Sequence, residues 1–151
     1  MDYHGIAGAI AARFASGLVT PPSGLTNIAV ATSTPPNALS QSPTVVVWAT
    51  RGDWIVGANE VRDEPAEFLV NFYYAKHEGD MPRETAALQK WLGVLRDRLF
   101  GQMKLGLGAS GVMKAIPVSW SIGVLTYAGI EYDGITITIN VWTQETVALT
   151  P

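Results

Sequence analysis

Ile135-Thr136-Ile137-Thr138-Ile139-Asn140-Val141-Trp142 alternates apolar and polar residues from Ile135 to Val141, with Trp142 next in the polar row. Successive side chains of an extended strand point to opposite faces. This period of two therefore predicts a strand with Ile135, Ile137, Ile139 and Val141 buried and a polar, largely β-branched face opposite. Trp120-Ser121-Ile122-Gly123-Val124-Leu125-Thr126-Tyr127 reads as the strand before it, with a turn around residues 129–134 in which Asp133-Gly134 is a favoured hairpin dipeptide. Further upstream, Glu67 to Lys76 places Phe68, Val70, Phe72 and Tyr74 on one face. Leu69, Asn71, Tyr73 and Ala75 fall on the other. Bulky groups on both faces predict a central strand, or one that meets a neighbouring subunit. Thr44-Val45-Val46-Val47-Trp48 is a β-branched run, and Trp54-Ile55-Val56 is predicted to pair back with it across residues 49–53.

Two segments change the period from two to 3.6. Between Asp2 and Gly17, Tyr3, Ile6, Ile10 and Phe14 form one apolar stripe. Asp2 suits the positive end of that helix and Gly17 its stop. From Pro82 to Met103, Leu88, Trp91 or Leu92, Leu95 and Leu99 form a second stripe, with Pro82 at a position where its missing N–H does no harm. Between the first helix and the β-branched run, Pro21-Pro22, Pro35-Pro36 and Pro43 interrupt regular structure, and only Thr26–Thr32 alternates well enough for a short strand. The expectation is a single α+β domain over residues 1–151. It has a mixed or antiparallel β-sheet packed by two main helices, element order α-β-β-β-α-β-β, and an extended Pro/Ser/Thr-rich arm at about 18–43.

Composition narrows the function. The 151 residues contain no cysteine, which excludes disulfide frameworks, thiolate metal sites and cysteine nucleophiles. Thirteen acidic against ten basic residues give a net charge of −3, which argues against nonspecific nucleic-acid binding and a polybasic membrane anchor. No apolar run approaches the roughly 20 residues that a bilayer requires. Arg13 interrupts the first apolar stretch, so it does not read as a signal peptide, and a soluble protein of a reducing compartment is expected. Charged residues make up 15%, against about 25% in average soluble proteins. Hydrophobic residues reach 48%, with five tryptophans. Such a chain either solubilises itself as a monomer with Thr, Ser and Gly, or has apolar surface covered by other subunits; the second is the expectation.

Candidate chemistry is sparse. Gly106-x-Gly108-x-x-Gly111 has the dinucleotide-binding spelling, but it follows a helix and precedes a strand, the reverse of what a pyrophosphate site needs. His77, Glu78 and Asp80 share a turn and could hold a cation, yet polar residues linking a strand to a helix explain them equally. Asp63-Glu64 with Glu67, and Glu131 with Asp133, are paired carboxylates that read as a solvated loop and a turn. No Gly-x-Ser-x-Gly elbow occurs. Trp54, Tyr73, Tyr74, Trp91, Trp120 and Trp142 lie on separate elements without interleaved bases, which predicts packing rather than nucleic-acid stacking. No catalytic residue, metal or cofactor is expected.

The layout of an amphipathic Tyr3–Phe14 helix, a proline-rich connection, the Pro43–Trp48 strand, a hairpin, the Phe68–Tyr74 strand, the long Pro82–Met103 helix and two closing strands resembles the tail terminator family of long-tailed bacteriophages. The closing pair includes Tyr127-Ala128-Gly129-Ile130-Glu131-Tyr132 and Ile135–Trp142. The resemblance covers most of the chain and implies a non-enzymatic virion protein, present in the host cytoplasm during assembly. It implies a homo-hexameric ring that caps the tail tube, stops its polymerisation and joins tail to neck, with tube and neck or head-completion proteins as partners. DNA would pass through without specific binding, and no membrane is involved. Alternatives are a head-completion stopper, a tube subunit, or a small ligand-binding or enzymatic domain with its pocket beneath residues 106–111. Loop tips are the expected interface: Arg51, Asp53, Leu105, Leu107 and Met113. Glu60, Asp63, Glu64 and Glu67 are the candidate lumen residues, since negative charge suits a DNA channel.

Overall fold

The computed structural model describes residues 2–56, 61–79, 81–100, 107 and 111–146, with backbone alone at 56, 61–63, 81–83 and 145–146. Helix α1 spans Tyr3–Ala12. It starts where Asp2 caps it, the carboxylate accepting the Gly5 N–H at 2.8 Å. It ends earlier than its apolar stripe, because the N–H groups of Arg13, Phe14 and Ala15 donate to carbonyls three residues back. This tightens the exit into a turn that Gly17 completes at φ +86°. Ile6, Ile10 and Phe14 are buried, as the stripe requires.

Among the described residues, six strands form one mixed sheet: β1 (Val30–Thr32), β2 (Thr44–Gly52), β3 (Ile55–Val56), β4 (Val61–Lys76), β5 (Val112–Tyr127) and β6 (Ile130–Thr146). The lateral order is β1-β2-β4-β6-β5, with β3 against β4. Only the β1–β2 pair is parallel. The α+β class and element order are as the sequence predicts, with the three-residue β1 preceding the β2–β3–β4 run. Strand β4 is central, between β2 and β6.

Three local expectations are corrected. Ile55-Val56 does not pair back onto β2. A bulge between Ala49 and Arg51 lets β2 run on against β4 as far as Gly52↔Ala66, and Ile55 then meets Asp63 on β4 itself. Residues 63–65 are strand rather than loop. The Pro65 carbonyl accepts the Asp53 N–H at 3.1 Å, so this residue's backbone faces the break between β2 and β3, where a missing N–H interrupts no ladder. The hairpin turn is Ala128-Gly129, both at positive φ (50° and 79°), a conformation matched to the twist of paired strands. Asp133-Gly134 instead lies inside β6, opposite a bulge between Tyr73 and Ala75. Asp133 is fully buried, and its carboxylate lies 2.7 Å from His77 Nδ1. That contact, with the His77 N–H donating to the Glu131 carbonyl at 3.0 Å, pins the end of β4 to β6.

Helix α2 spans Met81–Phe100. It lies with α1 on one face of the sheet, α1 over β1–β2 and α2 over β5–β6. Leu88, Trp91, Leu95 and Leu99 are buried against Phe68, Val70, Phe72 and the β6 isoleucines. The helices are tied by reciprocal bonds. Arg13 Nη2 donates to the Arg98 carbonyl at 3.0 Å, and Arg98 Nε to the Arg13 carbonyl at 2.7 Å. Burial, and secondarily Arg98, lower the Arg13 pKa from its ordinary value. Val19 and Ile28 are buried in the helix-side core, and Leu39 covers a smaller cluster of Val46, Tyr73 and Tyr132 on the opposite face. The Tyr127 hydroxyl donates to the Pro36 carbonyl there. Among the described residues, no helix is long and apolar enough to cross a membrane.

Candidate assembly surface

Strand β5 is the outer strand at one edge of the sheet. From Ala115 to Tyr127 it carries no charged residue. A long uncharged edge is a template for further pairing unless it is blunted or covered. Its first half is blunted by Pro117 and by a bulge at Val118, between Pro117↔Ile139 and Ser119↔Thr138. Beyond Ser119 the register is regular to Tyr127↔Ile130 and bears neither device.

Beside that edge, α2 and β5 leave a groove of about 470 Å³ lined by residues including Leu92, Arg96, Phe100, Val118 and Trp120. Its walls are wet: Trp120 is 61% exposed, Val118 53% and Phe100 51%. Trp120 pairs with Ile137, whose side chain is in the helix-side core, so the groove belongs to the helix-bearing face. Arg96 sits on its rim, 3.0 Å from Asp97 in an exposed pair of small energetic weight.

The opposite edge carries a projection. Strand β1 pairs only with Thr44–Val46, so β2 is outermost towards Gly52. Just beyond, Trp54 is 72% exposed and Ile55 is exposed too. The Trp54 Nε1–H donates to the Tyr3 hydroxyl at 3.1 Å, and Tyr3 in turn donates to Glu64 Oε1. These three residues line a shallow cavity of about 250 Å³ with Arg51. The chain from α1 through Tyr3 holds the indole at the rim, on the helix-bearing face.

Of the expected interface residues, Arg51 and Asp53 are exposed on this projection, and Met113 is exposed at the start of β5. Arg51 Nε lies 3.5 Å from Glu67 Oε2. Leu107 packs partly buried on the core, and its carbonyl accepts the Val112 N–H at 3.3 Å. Leu105 and the remaining glycine-loop positions 106 and 108–110 lie outside the described residues, as does Glu60. Asp63 is described by backbone alone. Glu64 is corrected. It is 3% exposed beneath Tyr3, so it cannot present a solvated charge to a channel. Glu67 is half-buried, with its carboxylate engaged by Arg51 and by the Thr50 hydroxyl at 3.2 Å.

The groove residues Phe100, Val118 and Trp120 were missing from the expected interface. The signal that could have found them is the charge-free run Ala115–Tyr127, which a strand with a neighbour on each side tolerates and a bare outer strand does not. No cluster of three or more His, Asp or Glu side chains that could hold a metal ion occurs among the described residues. Compared with known proteins, the sequence matches no family model and no curated protein.

Proposed function

We propose that this chain is a structural subunit of a bacteriophage tail, a terminator-type protein. It forms a ring on the finished tail tube, stops tube polymerisation and supplies the surface that joins the neck. The observation that carries the reading is the uncharged outer strand β5 with the open apolar groove beside it, on a chain with few charges. A free edge and an aromatic-lined groove are the surface of a subunit whose neighbour covers them. The α+β layout and the net charge of −3 agree with a ring through which DNA slides. Sixfold symmetry and the tube and neck partners come from the resemblance.

Electron microscopy of particles assembled without this chain tests the reading. Overlong tails, or tails unjoined to heads, are the expected outcome, restored by supplying the wild-type chain in trans. Virions of normal length and attachment would reject it.

A further inference from the structure

The cavity of about 250 Å³ beside Trp54 has an acid in its wall. Glu64 is the most buried of the lining residues, at 3% exposure, and the aromatic side chains of Tyr3 and Trp54 stand around it. Its carboxylate is half satisfied. Oε1 accepts the Tyr3 hydroxyl, while Oε2 is buried with no hydrogen-bond partner among the described residues. No described Lys, Arg or His side chain is paired with it. Arg51 also lines the cavity, but its Nε is drawn to Glu67 Oε2 at 3.5 Å. Glu67 is next to the core-facing Phe68 on β4 and so belongs to the face away from the helices.

A carboxylate held out of water with one oxygen unpaired is costly, and a cation that donates to that oxygen removes the cost. The surroundings select the cation. A hard metal ion needs about six oxygen ligands, more than Glu64, Tyr3 and Thr50 supply. A guanidinium binds a carboxylate best through both oxygens, and Tyr3 already occupies one. An ammonium needs a single acceptor, and aromatic rings attract it and cover the alkyl chain behind it. We infer that this cavity binds an alkylammonium group, its nitrogen on Glu64 Oε2 and its chain along Trp54 and Tyr3. The group belongs to a small amine or to a lysine side chain, and the site is independent of the ring reading. Trp54 is 72% exposed and held by its bond to the Tyr3 hydroxyl at 3.1 Å, so the indole swings aside to admit the chain and closes over it.

NMR titration of the whole chain at constant ionic strength tests the site. The Gly52 amide and the Trp54 indole N–H should shift saturably with n-butylammonium and not with n-butanol, which has the same chain without the charge. Glu64→Gln keeps an oxygen for Tyr3 at nearly the same volume and should weaken binding by about tenfold. Trp54→Ala, at an exposed position that the fold does not need, should weaken it about threefold, read at Gly52. Nα-acetyl-lysine methylamide separates the two sources. Saturation at a lower concentration than butylammonium identifies a lysine of a protein partner, and the reverse order identifies a free amine. A shift that stays linear, that n-butanol reproduces, or that survives at full affinity in either variant overturns the site. Self-association is not read in any of these arms, so their failure leaves the ring reading standing.

Discussion

Trp91→Ala is expected to lower the unfolding free energy by about 3–5 kcal/mol, the range for losing a fully buried large aromatic side chain. Trp91 is fully buried at the middle of α2, and its ring centroid lies 5.0 Å from that of Phe72 on the central strand. It is therefore the main wedge between helix and sheet, and the neighbours Leu88, Leu95 and Phe72 are held by their own elements and cannot collapse into the void. For a chain of this length the loss corresponds to roughly 6–20 °C in Tm. Trp91→Phe should cost clearly less. The indole Nε1–H is buried with no hydrogen-bond partner, so phenylalanine sacrifices volume but removes an unsatisfied donor. Chemical denaturation of the two variants checks both statements. A cost for the alanine variant below about 1 kcal/mol would show that α2 is not anchored as described.

Gly134→Ala is the second large effect. A Cβ at Gly134 would stand 2.4 Å from the Phe72 carbonyl oxygen and 2.7 Å from Leu125 Cδ1. The leucine could turn away, but the carbonyl belongs to β4 beside its bulge and is fixed by the ladder. Relief requires spreading β4 from β6, and the cost should reach the upper part of the roughly 1–3 kcal/mol typical of overpacked sites. Its partner across the β5–β6 ladder is the control. Gly123 faces Gly134, yet a Cβ there meets nothing within 4 Å, so Gly123→Ala should be neutral within about 0.5 kcal/mol. Equal costs at the two positions, read from thermal or denaturant unfolding, would contradict the close approach of β4 and β6.

The elements that sequence pattern reveals are those whose pattern is set by burial against one core. Ile135 to Val141, Phe68 to Phe72, and the Ile6 and Leu88 stripes all face the same interior, so periodicity alone located them. What pattern did not reveal depends on where the backbone bends. Asp133-Gly134 has the composition of a turn, but Gly134 is needed for a close strand approach and Asp133 for the His77 contact, while the less conspicuous Ala128-Gly129 makes the turn. The pairing of Ile55-Val56 escapes local pattern because β2 continues through a bulge between Ala49 and Arg51 to Gly52, and Ile55 and Val56 then follow on along β4 itself. Glu64 looked like surface charge because burial of a carboxylate under Tyr3 depends on a contact 61 residues away, which local spacing does not encode. The candidate assembly surface is only partly encoded in local sequence. Arg51 and Asp53 stand on the projection, whereas the groove needed two elements, α2 and β5, to be brought together before it existed.

The claim on which the rest depends is that the β5 side of this molecule is covered by another copy. Light scattering on the purified chain, wild type beside Val118→Lys, measures it most directly. Val118 bulges from the outer strand into the groove and is half exposed, so a lysine there leaves the fold intact and places a charge where a neighbour would sit. The expected result is a wild-type mass that is a multiple of 16.2 kDa and a variant that falls to a single chain with an unchanged unfolding midpoint. A wild-type chain that remains at 16.2 kDa as concentration rises and also when tail tube is supplied, or a variant that assembles as the wild type does, would contradict it.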